Sequence, residues 1–316
     1  MHTLAVSVGS PGLWAAFLVF VALMLALDLG VFHRTAHTVS LREAALWSAV
    51  WVALSFGFAA LVWWRFGPER GLEFTTGYLI EKALSVDNIF VFVVIFQAFS
   101  IPSLDQHRVL FWGILGALAM RAAFIFAGTA LLERFHWTVY VFGALLLVTG
   151  LKLLRSKPEN SEPQESWVVR LSSRYIPVTS GLRSGHFFVR ETGRWLATPL
   201  FLALVAVEFS DLLFAVDSIP AIFGVTQDPF IVFTSNIFAI LGLRSLYFLL
   251  AGIVTRFRYL NVGLALVLVF VGLKMLLTDI YPFPVSASLA VVAVLIGGAI
   301  ALSVWVTSPA KAQPQK

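Results

Sequence analysis

Five acidic residues, Glu81, Asp87, Glu208, Asp211 and Asp217, stand in stretches of sequence that are otherwise apolar. Glu208 and Asp211 are three apart and share a helix face. Glu81 precedes Asp87 by the same spacing at which Asp211 precedes Asp217, so two acid pairs recur along the chain. Asn88, Ser210, Ser218, Ser235 and Asn236 add neutral oxygens close by in sequence. A ligand set of carboxylate, amide and hydroxyl oxygens suits a hard divalent cation such as Mg²⁺, Ca²⁺ or Mn²⁺. Lys82, Arg121 and Arg244 oppose the five acids, and the remaining excess of two negative charges is what one divalent ion would cancel. A plain salt-bridge network between these acids and the two arginines is the structural alternative.

Other chemistries find little support. The chain has no Cys, which removes disulfides, thiolate metal sites and Cys nucleophiles. No His is centrally placed in an apolar stretch. His33, His37, His107, His136 and His186 read as solvated residues in loops or at helix ends, which argues against Zn²⁺ and Cu⁺. P-loop, GxGxxG, HExxH and GxSxG motifs are absent, and no nucleophile–base pair is evident, so an enzyme is not expected. Lys152 and Lys274 read as snorkelling cations that complement helix C-termini. Asp28 is balanced between ligand and interface residue, and Glu69, Glu73, Glu133 and Asp279 read as surface charges.

The elements that must carry these acids are membrane helices. Of the 316 residues 59% are hydrophobic and only 12% charged, and the mean hydropathy is +0.89. A globular chain carries about 25% charged residues. About 20 apolar residues are needed to cross a hydrocarbon core of roughly 30 Å. Nine segments qualify: 12–32, 42–64, 72–98, 109–132, 137–154, 198–223, 230–254, 260–278 and 285–306. The period-two alternation of barrel strands is missing. A buried Asp costs roughly 2.5 to 3.5 kcal/mol at the centre of an inserted helix, so five acids would cost about 12 to 18 kcal/mol. Such residues are functional by default, as ion ligands or proton relays. Ser218 and Pro220 follow Asp217, and Pro disrupts the preceding turn, so the sixth segment is expected to break there and free carbonyl oxygens.

Net charge of +5 and a pI near 9.7 read as topology rather than nucleic-acid binding. With the N-terminus outside, 15 of the 22 Lys and Arg fall in inner loops and the C-terminal tail, and only Arg65, Arg70 and Arg134 fall outside. The bias points to an N-out, C-in arrangement. No basic region precedes the first apolar run and Asp28 interrupts it, so a cleaved signal peptide is not expected. The chain then divides into helices one to five (1–155), a cytoplasmic loop (156–197), and helices six to nine with a short tail (198–316). Within the loop, 156–166 reads as linker, 167–176 as an interfacial helix, and 186–198 as a small hairpin around Thr192 and Gly193.

The charged segments repeat. Val86-Asp87-Asn88-Ile89 matches Val216-Asp217-Ser218-Ile219. Ile114-Leu115-Gly116 leads to Arg121 as Ile237-Phe238-Ala239 leads to Arg244, and Gly150-Leu151-Lys152 matches Gly272-Leu273-Lys274. The order holds across three helices, and an offset of three spans reverses each copy in the membrane. The expected architecture is an all-α polytopic membrane protein with an inverted 3+3 repeat, helices three to five and six to eight. Secondary transporters place their site at such a repeat interface, which would bring Asp87 and Asp217 together.

At these residues the sequence resembles the TerC family of integral membrane proteins, its Alx-type members included. The resemblance rests on Glu81-Lys82-Ala83-Leu84-Ser85-Val86-Asp87-Asn88 and on the run from Val207-Glu208-Phe209-Ser210-Asp211 through Asp217-Ser218-Ile219-Pro220 to Arg244-Ser245-Leu246-Tyr247. It covers nearly the whole chain. It implies a multi-pass protein of the bacterial inner membrane linked to metal homeostasis, with manganese export the best-supported activity; the family name reflects an association with tellurite resistance. It also carries the family's acidic positions onto Glu81, Asp87, Glu208, Asp211 and Asp217. The expected function is export of a divalent cation, Mn²⁺ first, in exchange for protons. Asn88, Ser218 and Asn236 would help the acids, and Arg121 and Arg244 would hold the empty site together. Metal ion, protons and lipid are the expected partners, with a second copy or another membrane protein as a further one. No permanently bound cofactor and no nucleic acid are expected. The alternative is a membrane scaffold or stress-resistance protein without transport of its own.

Overall fold

The computed structural model describes residues 7–32, 40–135, 137–155, 178–179, 182, 185–191, 194–251, 259–281 and 283–307, with the side chains at 28–32, 87, 90, 133, 217, 260 and 304 excepted. Helices occupy all nine apolar segments: α1 (Pro11–Phe32), α2 (Leu41–Phe66), α3 (Pro68–Ala98), α4 (Ser103–Arg134), α5 (Thr138–Arg155), α6 (Pro199–Phe223), α7 (Pro229–Ile240), α8 (Leu243–Leu250), α9 (Leu260–Leu276) and α10 (Val285–Thr307). Helices α2, α4, α5, α6 and α10 are long and apolar enough to cross a membrane, and the pair α7–α8 makes a sixth if counted as one bent span. Leu23, Leu46, Trp64, Val294 and Trp305 are large, apolar and more than half exposed, the surface expected of helices whose solvent is lipid.

Local signals set the helix ends. Ser40 caps α2, its hydroxyl accepting from the Glu43 N–H at 3.3 Å. Gly67, at φ +92°, ends α2, and Pro68 opens α3 at once, so the two helices form a tight hairpin. Asp228 caps α7, accepting from the N–H groups of Phe230 and Ile231 at 2.9 and 3.3 Å, with Pro229 in the first turn.

The expected break is corrected. Helix α6 runs through Pro220 to Phe223 without interruption. Pro220 lies one turn before the end of α6, where it leaves the Val216 carbonyl without its main-chain donor but does not interrupt the helix. The break falls instead in the seventh segment, where α7 and α8 meet at a 40° bend. Leu241 is extended and Gly242 has φ +80°, a left-handed conformation that only Gly adopts cheaply. A Cβ on Gly242 would also lie 2.7 Å from the Trp51 Cβ of α2.

One aromatic-rich core joins α1, α2, α3 and α7 through Phe17, Phe58, Phe74, Phe230, Phe233 and Phe238. A second joins α3, α4, α6 and α8 through Ile89, Phe92, Leu110, Leu200 and Tyr247. Between α5 and α9 small residues permit backbone contact: a Cβ on Gly143 would lie 3.0 Å from the Gly272 carbonyl, and one on Gly272 would lie 2.8 Å from the Gly143 carbonyl.

In the long loop, β1 (Phe188–Glu191) and β2 (Arg194–Ala197) pair antiparallel, as the hairpin expectation required. The proposed linker 156–166 and interfacial helix 167–176 lie outside the described residues. Contacts between helix ends join segments that alternating helices place at the same end. Ser7 donates to Asp228 at 3.1 Å and Tyr140 to Asp279, whereas Arg108 meets the Gly185 carbonyl at 2.6 Å and Tyr247 donates to Gln106 at 3.0 Å.

Candidate functional site

Four helices bring charged or amide side chains together in the interior. Glu81 of α3 is fully buried at 0% exposure, and Arg121 of α4 is 2% exposed. The two form an ion pair. The Arg121 guanidinium also donates to the Asn236 side-chain oxygen of α7 at 2.9 Å and reaches the Ser218 hydroxyl of α6 at 3.4 Å. One cation therefore ties α3, α4, α6 and α7 together. A guanidinium suits this because its donors form a fixed fork that can serve several acceptors at once.

Asp211 of α6 is the second buried acid, and it accepts from the Asn88 amide of α3 at 3.2 Å. It also lies within electrostatic range of Arg121 and Glu81, and of Glu208 one turn away. Glu208 is half-buried against α4 at Gly116. A side chain on Gly116 would collide with the Glu208 carboxylate, so this glycine is room made for an acid. The Glu81 Oε2, Asn88 Oδ1 and Ser85 Oγ atoms are buried and have no hydrogen-bond partner among the described residues. Buried acceptors left this way are costly, and they are oxygens of the kind a hard cation collects.

Of the expected ligands, Glu81, Asp211, Asn88, Ser218 and Asn236 converge on this cluster with Arg121. Glu208 joins it from the side. Arg244 is buried in the first turn of α8, just past the break. The helix positions of Asp87 on α3 and Asp217 on α6 are given, but their side chains, and that of Asp28, lie outside the described residues. Among the described residues no three His, Asp or Glu side chains stand close enough together to hold a metal.

One surface assignment is corrected. Glu73 is buried at 6% exposure, paired with Arg70 at 2.7 Å and accepting from the Thr226 hydroxyl at 2.8 Å. Its neighbour Glu69 is exposed, as expected. Asp228 and the role of Gly116 were not among the sequence candidates. The Asp-Pro pair before an apolar run was the legible signal for the first; nothing local marks the second, whose meaning depends on a residue of another helix.

A bundle of apolar helices enclosing charged and amide side chains defines an integral membrane protein with a polar intramembrane site. The chain belongs to the TerC family of integral membrane proteins, whose family pattern matches residues 66–311. It is 63% identical over 297 residues to an uncharacterised membrane protein of Myxococcus xanthus, covering 94% of this chain and 93% of that one. It is 49% identical over 309 residues to a protein of Salmonella typhi provisionally named membrane-bound redox modulator Alx, covering 95% and 96%. The corresponding Alx protein of Escherichia coli K12 is 48% identical over the same length, covering 95% and 96%. No solved structure matches the chain.

Proposed function

We propose that this protein is a secondary transporter of the bacterial inner membrane that exports a hard divalent cation, Mn²⁺ first, using Glu81, Asp87, Glu208, Asp211 and Asp217. The observation that carries this reading is the buried assembly of Glu81, Arg121, Asn236, Ser218, Asn88 and Asp211 across four helices. In this reading Arg121 stands in for the cation when the site is empty, and a metal ion displaces it from Glu81. The inverted repeat is supported by reciprocal packing: α3 packs on α7 as α6 packs on α4, α5 on α6 as α9 on α3, and α5 directly on α9. A half-helix end beside the acids is also what carriers with midplane sites use.

The redox name of the Alx relatives supports a second reading, a membrane-bound modulator or scaffold. A chain without Cys contributes no thiol–disulfide exchange of its own, so a redox effect would act through the ion it handles or through a partner. Purified protein in proteoliposomes distinguishes the readings. The transporter moves Mn²⁺ in preference to Zn²⁺, because no imidazole or thiolate favours the softer ion, and Glu81→Gln stops it. Absence of protein-dependent Mn²⁺ flux under any imposed ion gradient leaves the scaffold reading.

A further inference from the structure

The break between α7 and α8 holds a second feature that the carboxylate cluster does not use. Ending α7 at Ile240 removes the main-chain donors that the carbonyls of Phe238, Ala239 and Ile240 would meet in a continuous helix. These three residues are at most 1% exposed, so water does not serve them freely, and a helix C-terminus carries roughly half a negative charge. Into this position α3 sends Lys82, whose ammonium donates to the Ala239 carbonyl at 3.1 Å. A buried hydroxyl, Ser245, stands in the first turn of α8, just past the break. It is 1% exposed and has no hydrogen-bond partner among the described residues.

Main-chain carbonyls at a half-helix C-terminus with neighbouring hydroxyls are the ligands that broken membrane helices offer to a small monovalent cation. We infer that Lys82 is a tethered cation filling a monovalent-cation seat at the α7–α8 break. Its ammonium supplies the positive charge that the break requires, so the native protein needs no Na⁺ or K⁺ there. This inference concerns the break itself and is independent of which ion the carboxylates carry.

The test is the thermal unfolding of purified full-length protein in detergent, in NaCl, KCl and choline chloride at equal ionic strength. Wild type and Lys82→Arg unfold at the same temperature in all three salts. Lys82→Met unfolds lower in choline and regains a few degrees, saturably, with Na⁺ or K⁺, as expected when an ion binds only the folded state. Should Lys82→Met yield folded protein in none of the salts, Lys82→Gln decides, since its amide still donates to a carbonyl but carries no charge. Equal unfolding temperatures in all three salts for the uncharged variants overturn the inference. So does failure of both variants to fold in any salt, because a seat open to free ions would have rescued them.

Discussion

Arg121 decides more about this site than any single acid. Burying a charge is tolerable only when it is paired, and removing one partner of a buried pair costs about 3 to 5 kcal/mol, because the other is stranded. Arg121→Gln is therefore expected to lower the unfolding temperature markedly. The double variant Arg121→Gln with Glu81→Gln is expected to recover part of the loss, a coupling that a double-mutant cycle reads directly. The two equivalent acids give a functional counterpart. Asp87→Asn and Asp217→Asn are each expected to abolish Mn²⁺ flux with normal membrane insertion. Lys152→Gln, at an exposed helix end, is expected to be mild. Wild-type flux in both Asn variants would remove the paired site. These acids were legible in the sequence because charge inside an apolar run is expensive wherever the helix points. Glu73 was misjudged because its burial comes from Arg70 in its own helix and Thr226 more than a hundred residues away, and only the first is visible locally.

At the scale of elements, a helix in each apolar segment was legible from apolar length, whereas the break in the seventh was not. Pro220 is the louder signal, yet it removes one main-chain donor and α6 continues past it to Phe223. Gly242 is the quieter signal: an isolated Gly in an apolar run has several readings, and only its positive φ selects a break. Gly242→Ala would force a side chain into the left-handed region, at about 1 to 2 kcal/mol, and against Trp51. The expected outcome is a lower unfolding temperature and reduced transport, measured on the same reconstituted preparation. Pro220→Ala is expected to leave both nearly unchanged. A Gly242→Ala protein with native stability and flux would mean that the bend does not serve the cycle.

For the whole molecule the question is energy. Export of a divalent cation against an inside-negative potential of 100 mV costs roughly 2 × 2.3, or about 4.6 kcal/mol, before any concentration gradient. The sequence has no nucleotide-binding motif to draw on. Carboxylates gathered in a low-dielectric interior exchange a metal ion for protons readily, since either neutralises them. An inward proton gradient is therefore expected to drive Mn²⁺ out, and Glu208→Gln or Asp211→Asn to stop or uncouple it. Efflux from proteoliposomes that ignores an imposed pH gradient, with the membrane potential clamped, would exclude proton exchange. The membrane class and the family were plain from composition and the charged motifs. The pairing of helices was not, because apolar helices in lipid choose neighbours by small residues and a few hydrogen bonds rather than by hydrophobicity. Gly143 against Gly272 is such a choice.

The tie between the start of the described chain and Asp228 bears on how the protein tolerates handling. Ser7 and the Val8 N–H, at 3.1 and 2.8 Å, bind the same carboxylate that caps α7. The opening residues thus act as a staple on the bent span from the far end of the sequence. A tag or truncation reaching Ser7 would loosen the one helix whose ends must hold their angle, while the same alteration beyond α10 would touch none of these contacts.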